Sequence, residues 1–422
     1  MSDEITILIL IDGLRGDFDS FYGEDVCPTL CQLAKNGTRA RRVDATFNTM
    51  SLPNHMSIAT GVHPDKHGFV GNVMFDPIMD DVWYSFGNVG KGLQRFICHL
   101  DVEKAIWWWK NGIQDEKVEP IWTANERNGG TSAVYAWTLL DIPFSDILPT
   151  HQSKHNCENL YEVPYNERMD HVVDWLTLEK KAPNFVAIYV REVDEDCHTF
   201  GAKSEQALET LKGKLINCLF EYSICFASFS AVDDSLAHLK AALESKGLWD
   251  RTNLVITADH GHCDIDRKKI VYIEDYVDKE RFVWKNPNFW PLSCSVDDLY
   301  EKLSKMPHCK VYRKEELVEQ RYSDHWRIGP LVVIPDEGAE LLRSHKPDGE
   351  RFKLRSTHGY DFRLESMRPI FVATGPKFKQ NFELSVEEPI SLVDVASIAA
   401  KCMNFKLQTT DGEPERYEKL FK

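Results

Sequence analysis

Four segments of this chain share one pattern: an apolar, strand-like run stops and acidic or histidine residues begin. Ile5–Ile11 ends in Asp12-Gly13, and Phe185–Val190 leads to Asp194 and His198. Residues 254–258 (Leu-Val-Ile-Thr-Ala) lead to Asp259-His260-Gly261-His262, and Ser356-Thr357 leads to His358-Gly359. Uninterrupted aliphatic runs mark strands buried on both faces, as in parallel sheets wrapped by helices. In an open α/β sheet, ligands bind just beyond the carboxyl ends of the strands. Oxygen and imidazole donors are therefore expected along one sheet edge.

Helical segments alternate with these runs. Pro28–Asn36 carries helix periodicity with Pro at its start and Gly37 as its stop, and residues 167–178 and 233–247 precede the second and third runs. Leu236, Leu239, Ala242 and Leu243 follow the i, i+3, i+4 spacing of a core-facing stripe. Residues 134–137 repeat the strand signal, 369–374 read as a returning strand and 391–402 as a final helix. The expected fold is α/β, a central mainly parallel sheet with helices on both faces. Residues 1–422 are read as a single catalytic domain, with 267–355, rich in short strand-like pieces, as an inserted subdomain.

With 422 residues, 43% of them hydrophobic, the chain is long enough for a large core. Its formal net charge of −16 argues against nonspecific binding to nucleic acid or acidic membrane surfaces. An anionic substrate stays feasible where metal cations reverse the local field. No basic, apolar leader precedes Ile5 and no run of eighteen apolar residues is found, so a cytoplasmic location without membrane association is expected. Eleven scattered cysteines without a CxxC pair suit reduced thiols. Cys197 and Cys263 flank candidate ligands, and thiol ligation by them is a minority alternative.

Ser51 precedes Pro53 and a helix running to Gly61, which puts its hydroxyl at a helix N-terminus, where amides and the dipole favour an alkoxide and a phosphoryl oxygen. The alternative is an ordinary helix cap. Asp194 and His198, four apart, share one face of a helical turn. Six Asp and His side chains (Asp12, Asp194, His198, Asp259, His260, His358) together with Ser51 suit two zinc ions. Such a pair can activate a nucleophile and clamp the attacking and leaving oxygens of a phosphoryl transfer.

From Ile9-Leu-Ile-Asp12-Gly-Leu-Arg15 to Met367-Arg-Pro-Ile370-Phe-Val-Ala-Thr-Gly375-Pro, the chain resembles the nucleotide pyrophosphatase/phosphodiesterases of the alkaline phosphatase superfamily. The most specific stretch is Pro53-Asn54-His55 through Thr60-Gly61 and Pro64 to His67-Gly68 and Asn72. The resemblance implies an alkaline-phosphatase-like sheet. It implies that Asp12, Ser51, Asp259 and His260 hold one zinc, and that Asp194, His198 and His358 hold the other. It further implies that Asn72 and the Leu52 amide bind a nonbridging phosphate oxygen; a turn role for Asn72 is the alternative. Trp137 and Tyr161 would flank a base, or serve as core or rim packing. Family members usually have threonine, with lysine before and phenylalanine after it, where this chain has Met50-Ser51-Leu52.

The expected reaction is cleavage of nucleotide phosphodiester or phosphoanhydride bonds through a covalent Ser51 intermediate, releasing nucleoside 5′-monophosphates from small-molecule substrates that include cyclic dinucleotides. No organic cofactor is needed, and nothing fixes the oligomeric state. A sulfatase reading fails because His55 stands where that modification motif needs arginine, and a phosphomonoesterase reading lacks an arginine beside Ser51. A choline-lipid phosphodiesterase and a non-catalytic phosphate binder are the alternatives.

Overall fold

The computed structural model describes residues 4–84, 102–140, 142–153, 163–202, 228–345 and 354–422. Its centre is an eight-stranded sheet, ordered Phe382–Leu384, Thr38–Ala40, Phe371–Thr374, Thr252–Thr257, Ile5–Ile11, Phe185–Val190, Ser132–Tyr135 and His151–Gln152. Ile5–Ile11 lies between two parallel partners, Ile11 opposite Val190 and Leu10 opposite Thr257. Phe371–Thr374 is antiparallel to both of its neighbours, whereas the other pairings are parallel. The sheet is thus mainly parallel, as expected.

Period-two geometry splits each aliphatic run between two cores. Ile5, Ile7, Ile9 and Ile11 enter one cluster with Val186, Ile188, Val190, Leu254 and Ile256, beneath Pro28–Asn36, Tyr165–Leu176 and Ser228–Ser245. Leu8, Leu10, Ala187, Tyr189 and Val255 enter the other, with Leu52, Met56 and Ile58 of the Ser51–Thr60 helix and Val395 and Ile398 of the Asp394–Cys402 helix. Burial of each such side chain contributes about 1.5–3 kcal/mol, so both faces hold the sheet and fix its carboxyl edge.

A four-stranded sheet, Phe282–Lys285, Asn288–Pro291, Leu331–Pro335 and Cys309–Arg313, has a hydrophobic cluster of its own that includes Phe289, Leu299 and Val333. Arg327 and Asp76, both buried, join this region to the hairpin around Val73–Asp76 through a 2.9 Å ion pair. The Arg327 guanidinium also donates to the carbonyls of Gly68 and Trp108.

Two helical expectations need adjustment. The helix expected over 391–402 begins at Asp394, because Ser391 is in a short strand and the Asp394 carboxylate accepts from its amide. It is also not the last helix, since Pro414–Tyr417 follows. Among the described residues no helix is long and apolar enough to cross a membrane.

Candidate metal centre and nucleophile

At the carboxyl edge, the Asp12 amide continues the ladder by donating to Val190 O at 2.8 Å. The chain then turns at Gly13, φ +71°, so close to the neighbouring segment that a Cβ would come within 3.1 Å of the Asp194 backbone. Each carboxylate here divides its oxygens. Asp12 Oδ2 accepts from the Tyr189 hydroxyl at 2.6 Å, and Asp259 Oδ1 accepts from the Gly13 and His260 amides at 3.1 and 3.0 Å. Asp12 Oδ1 and Asp259 Oδ2 are buried without a hydrogen-bond partner. His260 Nε2 lies 3.5 Å from the first and 3.1 Å from the second, and Ser51 Oγ is 3.1 Å from the same nitrogen.

Ligands bonded at the distances usual for zinc lie roughly 3.3 Å apart across a tetrahedral edge. Buried, unpaired carboxylate oxygens are costly unless something positive meets them. The spacing and the two orphaned oxygens therefore fit a divalent cation held by Asp12, Asp259, His260 and Ser51.

A second cluster forms beside it. Asp194 and His198 share one face of the Glu192–Phe200 helix, with His198 Nε2 3.5 Å from Asp194 Oδ2, and His358 Nε2 approaches Asp194 Oδ1 to 3.8 Å. His198 Nδ1 donates to Ser356 O at 2.8 Å and His358 Nδ1 to Thr49 O at 2.7 Å, the kind of outer hydrogen bond that orients a metal-ligating imidazole. The His260 and His358 rings stack with centroids 3.6 Å apart, which makes the two clusters neighbours. The seven residues expected at the two ion positions are thus brought together.

The charges are crowded. Burial, then Asp259 and Asp194, pushes the Asp12 carboxyl up to about 7. Burial alone would lower His260, but Asp259 above all outweighs it and raises the imidazole to about 10. His55 is likewise raised to about 9 by Asp12 and Asp259 against its own burial. The arrangement calls for positive charge among these carboxylates.

The Ser51 hydroxyl is not a helix cap. The N-cap is Met50, in extended conformation, and Ser51 is the first helical residue. Asn54 pins the approach, its Oδ1 accepting from Thr46 N and Oγ1 and its Nδ2 donating to Met50 O. Leu52 buries its side chain in the core, and its amide donates to Asn72 Oδ1 at 2.8 Å. The two groups expected to grip phosphate thus meet each other, with Asn72 serving as the amide's acceptor.

Trp137, 1% exposed, packs in the core against Trp122 and His55. It is wall material and not an open stacking platform. Tyr161 lies outside the described residues. Cys197 is buried in the apolar cluster beside Tyr22, and the Cys263 thiol faces Asp264 O, so neither joins the donor groups.

Three neighbours of the centre were not anticipated. His262 Nε2 is 2.8 Å from Asp194 Oδ1, His55 Nε2 is 3.1 Å from Asp259 Oδ2, and Tyr189 holds Asp12. The signals available were spacing alone: His262 is two residues beyond His260 in the segment that follows a strand, and His55 is four beyond Ser51 on a helix.

The sequence model of the type I phosphodiesterase / nucleotide pyrophosphatase family matches residues 6–361. Ectonucleotide pyrophosphatase/phosphodiesterase family member 5 of Homo sapiens is 28% identical over 412 residues, which cover 96% of this chain and 76% of that protein. A bis(5′-adenosyl)-triphosphatase of Xenopus laevis is 27% identical over 412 residues, covering 96% and 79%. Among solved structures, murine ectonucleotide pyrophosphatase/phosphodiesterase 5 superposes with a TM-score of 0.80 at 26% identity, each chain covered in full. An inactive variant of the murine protein, in complex with AMP, gives a TM-score of 0.79 at 26% identity, again over the whole of both chains.

Proposed function

The chain belongs to the type I phosphodiesterase / nucleotide pyrophosphatase family of phosphoric diester hydrolases, and from that premise we propose that it uses two zinc ions and Ser51 to cleave nucleotide phosphodiester and phosphoanhydride bonds, releasing nucleoside 5′-monophosphates. The observation that carries the reading is the position of Ser51 Oγ, at the first residue of a buried helix and 3.1 Å from His260 Nε2, beside two buried carboxylate oxygens that no hydrogen bond satisfies. The ions, when bound, would lower the proton affinity of the serine hydroxyl and neutralise charge on the phosphoryl oxygens.

The protein's own residues do the rest. Ser51 Oγ, its proton passed to solvent water, forms a bond to phosphorus as the bond to the leaving oxygen breaks, and the bonding pair departs with that oxygen, which takes a proton from solvent where its basicity requires one. The Leu52 amide exchanges its bond to Asn72 for one to a nonbridging oxygen, with the helix N-terminus behind it. Water then attacks phosphorus from solvent, the bond to Oγ breaks with its pair returning to Oγ, one proton of that water is lost to solvent and Oγ is reprotonated from it, and the monophosphate leaves. The names of the bis(5′-adenosyl)-triphosphatase relatives and the AMP held by the murine relative favour a nucleoside 5′-phosphoryl group at the reacting position. Diadenosine triphosphate is the first substrate proposed, with cyclic dinucleotides a further group.

The experiment is to incubate the zinc-loaded protein with diadenosine triphosphate, cyclic dinucleotides, ATP and glycerophosphocholine, and to repeat it with Ser51→Ala. Wild type is expected to release AMP from the diadenosine substrate. Ser51→Ala is expected to lose on the order of 10⁴- to 10⁶-fold in turnover with zinc content largely intact, since Asp12, Asp259 and His260 remain. Undiminished turnover in the variant removes the nucleophile, and glycerophosphocholine as the best substrate removes the nucleotide reading.

A further inference from the structure

We propose that His262 is a positioning residue, which holds one oxygen of Asp194 so that the other is left to face the ion. Three imidazoles surround this carboxylate, and they differ in distance. His198 Nε2 stands 3.5 Å from Oδ2, a separation that two ligands of one ion keep, and His358 Nε2 stays 3.8 Å from Oδ1, beyond hydrogen-bond reach, whereas His262 Nε2 lies 2.8 Å from Oδ1 with hydrogen-bond direction.

The second nitrogens sort the rings the same way. A carbonyl can only accept, so His198 on Ser356 O, His358 on Thr49 O and His260 on Gly261 O each carry a proton on Nδ1, and the neutral ring that an ion requires then presents its lone pair at Nε2. His262 Nδ1 instead meets the Ser356 hydroxyl, which can donate. Its proton then sits on Nε2 and points at Asp194 Oδ1. Ser356 thus sets opposite tautomers on two rings, through its carbonyl for His198 and its hydroxyl for His262. The ring is fully buried, so no water competes for the bond. The Ser356–Thr357 strand pairs with Cys263–Asp264, which keeps hydroxyl and imidazole in register.

The inference rests on an ion at Asp194, and its test separates the two. Zinc and cobalt(II) are titrated into metal-free wild type, His262→Leu and His262→Gln, with cobalt's visible bands as the signature. In His262→Leu, one of two ions should bind about 10- to 100-fold more weakly. Its cobalt bands should fade as Asp194 turns to bind through both oxygens and coordination number rises. Gln, whose amide donates from nearly the same place, should restore affinity and bands. His262→Met serves as the donor-free variant if Leu impairs folding.

Wild-type behaviour in the donor-free variants overturns the proposal, as do stronger cobalt bands without rescue by Gln, the mark of a lost ligand. A wild type that takes up no ion at Asp194 overturns the ion reading itself.

Discussion

The Tyr189 hydroxyl donates to Asp12 Oδ2 at 2.6 Å, closer than the 3.5 Å approach of His55 Nε2 to the same oxygen, and the ring around it is packed in the core. Tyr189→Phe keeps the packing and frees the carboxylate to rotate. Zinc affinity at the Asp12 site is expected to fall about tenfold, read by competition with a chromophoric chelator, while thermal unfolding of the metal-free protein changes little. That Asp12, Asp259 and His260 belonged to one centre was legible because each directly follows an aliphatic run, and strand ends share an edge. Tyr189 was not, since its hydrogen-bond partner is 177 residues away and the residue sits inside a run that reads as pure core. His262 escaped for the same reason: its anchoring hydroxyl is 94 residues downstream.

Among the elements, the Ser51–Thr60 helix sets the proposed nucleophile beside His260 by where it starts, and it keeps its place by where it stops. Gly61 ends it at φ +74°, with Thr410 Oγ1 2.9 Å from where a Cβ would stand. Gly61→Val is expected to cost about 1–3 kcal/mol in urea denaturation, most of it from the left-handed backbone. The Pro and Gly bounds of this helix and of Pro28–Asn36 could be read from sequence because both residues act locally. The direction of Phe371–Thr374 could not, for a four-residue strand bears the same side chains whichever way it runs, and only its neighbours decide. The late start of the Asp394–Cys402 helix was hidden similarly, since Ser391 is held in strand pairing by a distant partner, Asp44.

Over the whole molecule, burial leaves histidines far from the centre neutral. Burial and then His325 push His67 down to about 3, and burial pushes His325 down to about 4. In the unfolded chain both titrate near 6.5, so below that pH the unfolded state binds more protons. The stability they confer is complete above pH 6.5 and is lost as pH falls toward 4 for His325 and toward 3 for His67, with an upper size on the order of 3 to 5 kcal/mol each. The urea midpoint of the metal-free protein is expected to drop steeply as pH falls from 6 to 4.

The sheet's topology also sets a schedule. Phe371–Thr374 fits between Thr252–Thr257 and Thr38–Ala40 yet is translated after both. A nascent chain therefore leaves the ribosome tunnel with a raw edge on each side of that gap, the condition in which strands stick to foreign strands. His358, too, emerges only shortly before this strand, so the donor group around Asp194 can be complete only shortly before that edge is closed.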